Sequence, residues 1–461
     1  MDVKTNGNIS FWYADIGGIP QKRPPLPGDR EADVCIIGAG YTGLWTAYYL
    51  KKANPALNIV VLEREFAGFG ASGRNGGWLS GGFSWSREKY AKTSSRGAVV
   101  DMQNAMAGTV DEVERVTKVE GIDADLIRVD KIIAATNAAQ LERVRAGYQF
   151  DLDWQMPPER VQLLSADEAA KHINIANLRG AIIYRGMARV QPAKLVRGLA
   201  RVVEGLGVSI YEGTSVKSFE KGRVETDRGM VRAPFIIRAT EGFSAGLPGY
   251  ERTWLALNSA QIVTEPVPDA LWKEIGWEGH ELLGDAAHAY CYAQRTREGR
   301  ITMGGRGVPY RFGSKTDVNG QTQQATINAL YGILTRLLPQ TKSLKIDHAW
   351  CGVLGVPRDW CTTAGFDRST GIGWAGGYVG LGVSSSNLAG RTLADLVLNR
   401  ETELTGLPWV NRTVRKWEPE PFRWLGVHSM YQLYRMADDR EFAGQTRTSK
   451  LAALADSITG H

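Results

Sequence analysis

Cysteine is scarce. The 461 residues hold four, Cys35, Cys291, Cys351 and Cys361, too few and too scattered for a disulfide framework. None forms a C-x-x-C pair, and no cluster of histidine and cysteine has the spacing of a zinc site, so no metal is expected. Long apolar runs are also missing. No stretch reaches the roughly 18 apolar residues that a membrane helix needs, and the opening residues 1–8 are polar, unlike a signal peptide. A cytoplasmic location without a membrane span is the expectation. Charge of one sign is lacking as well: 55 Lys and Arg against 49 Asp and Glu leave a net +6, with no basic run of five or more. Positive charge so scattered predicts no nucleic-acid partner, and an anionic substrate or cofactor pyrophosphate accounts for it equally. With 43% hydrophobic and 23% charged residues, a largely disordered chain is excluded.

Glycine, by contrast, is plentiful. The 53 glycines come in clusters, the pattern of a backbone that must approach something closely. Residues 33–37 form a short apolar run that reads as a buried strand. It leads into Gly38-Ala39-Gly40-Tyr41-Thr42-Gly43 and then an apolar helix over 44–50. A second apolar strand over 59–62 ends on Glu63, twenty residues past Gly43. This is a β-turn-α-β unit with G-x-G-x-x-G at the turn and an acid after the second strand. Gly38 permits the turn, Gly40 lets backbone meet a pyrophosphate, and Gly43 lets helix pack on strand. Glu63 is placed to accept the ribose hydroxyls, and Arg64 follows it. Neither later glycine run repeats the unit: 371–376 has no apolar strand before it, and 304–307 lacks the spacing. One dinucleotide is expected, not two.

Past Glu63, the stretch Gly68-Phe69-Gly70-Ala71-Ser72-Gly73-Arg74-Asn75-Gly76-Gly77-Trp78 is too glycine-rich for an independent helix or strand. It reads as a loop pressed on a flat ring, with Ser72, Arg74 and Asn75 as hydrogen-bonding groups. Together with the amino-terminal motif and Glu63, this stretch resembles the FAD-dependent D-amino-acid oxidase superfamily, in its γ-glutamylputrescine oxidase and glycine/sarcosine oxidase branch. The resemblance continues through Thr214-Ser215-Val216, Ala239-Thr240-Glu241-Gly242, Trp350-Cys351-Gly352 and Gly376-Gly377-Tyr378-Val379-Gly380-Leu381-Gly382. It implies an α/β fold: a Rossmann-like FAD-binding domain interleaved with an antiparallel-sheet substrate domain. Residues 31–90, 181–250 and 346–402 would build the first, residues 91–180 and 251–345 the second, and 403–461 a helical C-terminal extension.

The resemblance further implies that Val216 meets adenine, that 72–78 runs beside the flavin ring, and that 376–382 approaches its pyrimidine end. A helix over 384–398 would then point its positive end at the ring. Two departures matter. Leu381 stands where many relatives carry histidine, and the cysteine through which sarcosine-oxidising relatives bind flavin covalently falls on Gly352. Cys351 is one place away, so on the opposite face of a strand, and non-covalent FAD is expected.

Helices are predicted over 97–119, 137–149, 323–338 and 412–436, and a polar tail over 437–461. A hairpin over 289–294 and 300–305 puts Tyr290, Tyr292 and Gln294 on one face. Tyr292, Tyr378, Trp350 and Arg306 are the expected substrate-positioning residues, with Tyr290 and Trp254 as further aromatic candidates. Arg306 would pair with an anionic group. The histidines show no motif, and only His288, near the hairpin, is singled out. The chemistry implied by the resemblance is oxidation of a small primary or secondary amine by hydride transfer to flavin N5. The imine is then hydrolysed, with O2 as acceptor and H2O2 as product. The alternatives are a dehydrogenase that feeds a quinone or flavoprotein and, from another class, a non-enzymatic or RNA-acting flavoprotein. The oligomeric state is left open.

Overall fold

The computed structural model describes residues 3–82, 86–305 and 310–459. Two sheets organise them. The first has six strands in the order Thr363–Asp367, Ile372–Gly376, Phe235–Arg238, Val34–Ile37, Ile59–Leu62, Ser209–Tyr211. All neighbours are parallel except the first pair. Its central strands are apolar on both faces because both faces are covered. Val34, Ile36, Ile59 and Val61 face a helical layer that includes Tyr41–Ala53, Pro192–Gly205 and Gly382–Val397. Cys35, Ile37, Val60 and Leu62 face a β-meander through Val224 and Val231.

The second sheet has ten strands, mostly antiparallel. Along its main path run Ile346–Val356, Leu255–Thr264, Ile301–Gly305, Cys291–Arg295, Leu282–Asp285, Ile127–Ala135 and Gly180–Arg189. Alternation sorts its residues. Ala260, Ile262, Cys291, Ala293, Met303, Ala349 and Cys351 pack under helix Gln324–Leu337. The intervening Ser259, Gln261, Tyr292 and Gly352 line a cavity on the opposite face. Among the described residues, no helix is long and apolar enough to cross a membrane.

Strands Gly180–Arg189 and Ile346–Val356 both belong to the ten-stranded sheet, and helix Arg96–Val119 packs in the core of the nucleotide-side layer. Several elements depart from the sequence expectations. The helix expected over 412–436 spans Phe422–Phe442 instead: residues 412–419 take no regular structure, and the helix starts after Pro421, which has no N–H to continue it backwards. The tail expected to be polar contains a further helix, Lys450–Thr459, whose Ala452 and Ala455 pack on Tyr434 and Ala437. A short helix, Phe11–Asp15, was not anticipated. Its Phe11, Trp12 and Tyr13 are buried against Phe66, Phe69 and Trp350.

Candidate active site

Strand Val34–Ile37 ends at Gly38, whose φ is +105° and whose Cβ, if present, would lie 2.6 Å from the Ala239 carbonyl. Gly40 precedes helix Tyr41–Ala53 and has no side chain to cap it, so the positive helix end faces the cavity. A Cβ there would meet Ser72 Oγ at 3.0 Å, and that oxygen accepts from the Tyr41 N–H at 2.8 Å. Gly43 faces the strand rather than the cavity: a Cβ would run into the Gly38 carbonyl and Ile36. Glu63 is held by the N–H groups of Ala39 and Glu65, each at 2.9 Å, and burial raises its pKa. Gly38, Gly40, Tyr41, Thr42, Glu63 and Arg64 line one cavity of about 230 Å³, with Gly70, Ala71, Ser72, Val216, Ala239, Thr240 and Glu241.

The glycine-rich loop braces itself. Asn75 Nδ2 donates to the carbonyls of Ala71 and Ser72, while its Oδ1 accepts from Gly77 N. Arg74, expected to reach the cofactor, spends its guanidinium on the carbonyls of Phe69, Asp317, Val318 and Cys351. Burial pushes its pKa down to about 10. It clamps the loop from behind, although part of it reaches a second cavity. Gly73 faces the Tyr13 hydroxyl, and Gly77 faces Gln294 and the Val190 carbonyl. Trp350 corrects the expectation made for it. It is fully buried among Phe11, Trp12 and His348, its indole N–H donates to the Arg74 carbonyl at 2.9 Å, and it lines neither cavity. Trp350 lies on the same strand face as Gly352, but the helix Phe11–Asp15 covers it and it bonds the loop at Arg74, so it supports the loop instead of walling the substrate.

The second cavity, about 590 Å³, adjoins the first; both are lined by Ala71, Asn75, Leu354, Gly380 and Val383. Gly76, Trp78, Tyr290, Tyr292 and Leu381 line the larger one. Tyr292 hydrogen-bonds Ser259 Oγ at 3.0 Å, and burial raises its pKa, keeping the phenol protonated. Tyr378, expected at both cofactor and substrate, lines only the nucleotide cavity, where its hydroxyl meets Thr42 Oγ1 at 2.8 Å. Glu241 Oε1 accepts from Gly377 N at 3.1 Å and Tyr378 N at 3.0 Å, and burial pushes its carboxyl up to about 7. Those bonds hold the turn that precedes Gly382, the first residue of helix Gly382–Val397. Arg306 lies outside the described residues. Trp254 takes the Arg238 guanidinium 4.4 Å above its ring, away from both cavities. His288 pairs with Glu441 Oε1 at 2.9 Å in the C-terminal helix.

Sequence reasoning missed Asn258 and Gln261, which line the larger cavity. Asn258 Nδ2 and Gln261 Oε1 are buried with no partner among the described residues. The available signal was polar residues within the otherwise apolar strand Leu255–Thr264.

The cavity pair suits a dinucleotide. The narrow end offers a helix N-terminus and a buried carboxylate, and the glycine loop that lines both cavities offers a flat face for a ring. Residues 33–396 match the family described as FAD dependent oxidoreductase. The chain belongs to this family of FAD-dependent enzymes. It is 27% identical over 410 residues to a probable oxidoreductase, OrdL, of Rhizobium meliloti, covering 85% of this chain and 89% of that one. It is also 27% identical over 399 residues to the gamma-glutamylputrescine oxidoreductase of Escherichia coli, again covering 85% and 89%. Its fold is that of the glycine oxidase from Geobacillus kaustophilus, with TM-score 0.69 and 21% identity over 81% of this chain and 96% of that one.

Proposed function

We propose that the protein oxidises the C–N bond of a small primary or secondary amine to an imine, which water then hydrolyses. The observation that carries this is the 590 Å³ cavity that opens directly off the nucleotide cavity, walled by Tyr290, Tyr292 and the amide of Gln261. The names of relatives support the substrate class, since they include a gamma-glutamylputrescine oxidoreductase and a glycine oxidase. Bound FAD supplies a two-electron acceptor for the hydride that leaves the α-carbon. The chain's part is to hold the amine and exclude bulk water. Glu63 and the amino end of helix Tyr41–Ala53 would hold the ribose and pyrophosphate, and residues 70–78 with 377–382 would flank the ring. The Tyr292 phenol, kept neutral by burial and tied to Ser259, provides a fixed aromatic wall with a polar edge.

An anaerobic panel of amines, followed by flavin absorbance, tests the reading. Bleaching by an amine supports it, and rapid recovery in air assigns O2 as acceptor with H2O2 as product. Slow recovery in air with fast recovery by a quinone makes the enzyme a dehydrogenase. No bleaching by any amine defeats it.

FAD is held without a covalent bond, because Cys351 faces the helix side of its strand while Gly352 faces the cavity. Cys351 Sγ sits 3.5 Å from the Gln321 carbonyl, and burial pushes its thiol up to about 12. Acid precipitation should therefore release all the yellow colour, and a flavin-bearing peptide in the pellet would contradict this.

A further inference from the structure

The family match ends at residue 396, yet helix Phe422–Phe442 reaches back into the active-site region. Its Tyr431 lines the 590 Å³ cavity. Beneath the same helix is a separate chamber of about 230 Å³, whose wall includes Leu255, Trp417, Val427 and Met430. Leu257, Trp360 and Tyr431 line both spaces, so the chamber adjoins the large cavity at these side chains. The charges at the chamber's edge are spent on each other. Arg358 is 3.1 Å from Glu418, and Arg423 is 3.1 Å from Glu420. What remains is hydrocarbon.

Two residues lining the large cavity carry unusual backbone, and one of them, Trp360, also lines the chamber. Trp360 has φ +65° and Val379 has φ +50°, a left-handed conformation that a β-branched residue rarely adopts. Both pack in one apolar cluster with Trp417 and Val427 of the extension. Strain of this kind persists where surrounding structure over-determines it, and it gathers at binding sites. The large cavity has neutral polar groups, among them Asn258, Ser259 and Gln261, but little charge with which to recognise a substrate. Among its described lining residues, Arg74 and Glu88 are the only charged ones, and Arg74 is held by four carbonyls.

We propose that the chamber under the C-terminal helix binds a hydrocarbon group, alkyl or aryl, at the end of the substrate remote from the reacting C–N bond. The proposal rests on the amine reading for the identity of the substrate, but not for the existence of the site. A benzene ring fits a dry cavity of about 150 Å³, so 230 Å³ takes a phenyl ring or a short alkyl chain. The chain segment beyond the family match then determines specificity.

The test uses fluorobenzene, which carries no amine, titrated into the FAD-loaded enzyme and followed by ¹⁹F NMR. Saturable binding is expected. Val427→Phe fills the chamber from a buried position. Gly426→Leu adds bulk where a Cβ meets no atom within 4 Å, so folding is not at stake. Each variant should weaken fluorobenzene binding at least tenfold. In parallel, kcat/KM along the series n-propylamine to n-hexylamine should rise about fourfold per methylene in the wild type and stay flat in both variants. Absence of saturable binding to the wild type, or equal binding by wild type and both variants, overturns the proposal. If fluorobenzene behaves as expected while no amine reduces the flavin, the apolar site stands and the amine assignment falls.

Discussion

Glu63 accepts backbone N–H groups from both neighbouring turns, so it orders the phosphate-binding corner as well as presenting an oxygen to the cavity. Hydrogen bonds to charged groups are worth roughly 1.5–3 kcal/mol each. Glu63→Ala should therefore weaken FAD binding by at least tenfold, measured by reconstituting apoprotein with the cofactor, while Glu63→Gln retains part of the affinity. Equal affinities for wild type and Glu63→Ala would show that Glu63 is only a backbone brace. Glu241 offers a prediction in pH. Burial lifts its carboxyl from 4.5 to about 7 in the folded protein. The native state thus keeps a proton that the unfolded chain loses near pH 4.5. Stability conferred by that proton is present at low pH, falls as pH rises from about 4.5 to 7, and is gone above. Glu241→Gln keeps an acceptor for Gly377 and Tyr378 but cannot ionise. Thermal midpoints of the two proteins should diverge across this window in favour of the variant, by an amount corresponding to at most about 3 kcal/mol. Parallel curves from pH 4.5 to 8 would place the proton elsewhere.

At the scale of elements, the nucleotide cradle was legible because its signal is local. A strand, a glycine turn, a helix and a second strand follow one another within thirty residues, and each glycine's task is visible in the spacing. Helix Gly382–Val397 was legible from its periodicity, within two residues at its start. The sequence could not say what each element packs against. Helix Arg96–Val119 has a plain amphipathic pattern, and nothing in that pattern names the sheet it covers. Trp350 shows the same limit for one side chain, because it lies on the cavity face of its strand and yet is covered by a helix, Phe11–Asp15, more than three hundred residues away in sequence. Close contacts carry the most information of this kind. In helix Gly382–Val397, a Cβ at Gly390 would lie 2.6 Å from Trp45 Cβ and 2.9 Å from Thr46 N, so the two helices that open onto the cofactor cavity touch backbone to side chain there. Gly390→Ala should cost about 1–3 kcal/mol by overpacking and lower FAD affinity along with the melting temperature. A melting temperature equal to the wild type would mean that the helices part easily.

At the scale of the whole molecule, the C-terminal helix is fastened at both ends to loops that flank the substrate hairpin. Near its start, Glu420 accepts from Gly313 N, Trp424 N and the Tyr310 hydroxyl, and His428 Nε2 meets the Tyr310 carbonyl at 2.9 Å. At its other end, Asp438 accepts from the N–H groups of His288 and Ala289 at 2.8 and 2.9 Å. Glu441, only 1% exposed, binds Arg143 at 2.7 Å and His288 at 2.9 Å. Burial works against that carboxylate, yet the hydrogen bonds from His288 and Arg143 hold its pKa down to about 2. The clasp is therefore fully made above pH 4.5 and weakens only as pH falls towards 2. Glu441→Ala strands Arg143 and His288 together without their anion. Removing one partner of a buried pair costs about 3–5 kcal/mol, and less here because 22% of the Arg143 side chain is exposed. The cost falls on the docking of the extension rather than on the nucleotide fold, which shares no residue with the clasp. Limited proteolysis should then trim the variant near residues 444–449 well before the wild type, with bound flavin retained and amine KM raised through the loss of Tyr431 from the cavity wall. Equal protection of the two proteins would mean that the contacts of the helix's first half, around Glu420 and Trp417, hold the extension in place by themselves.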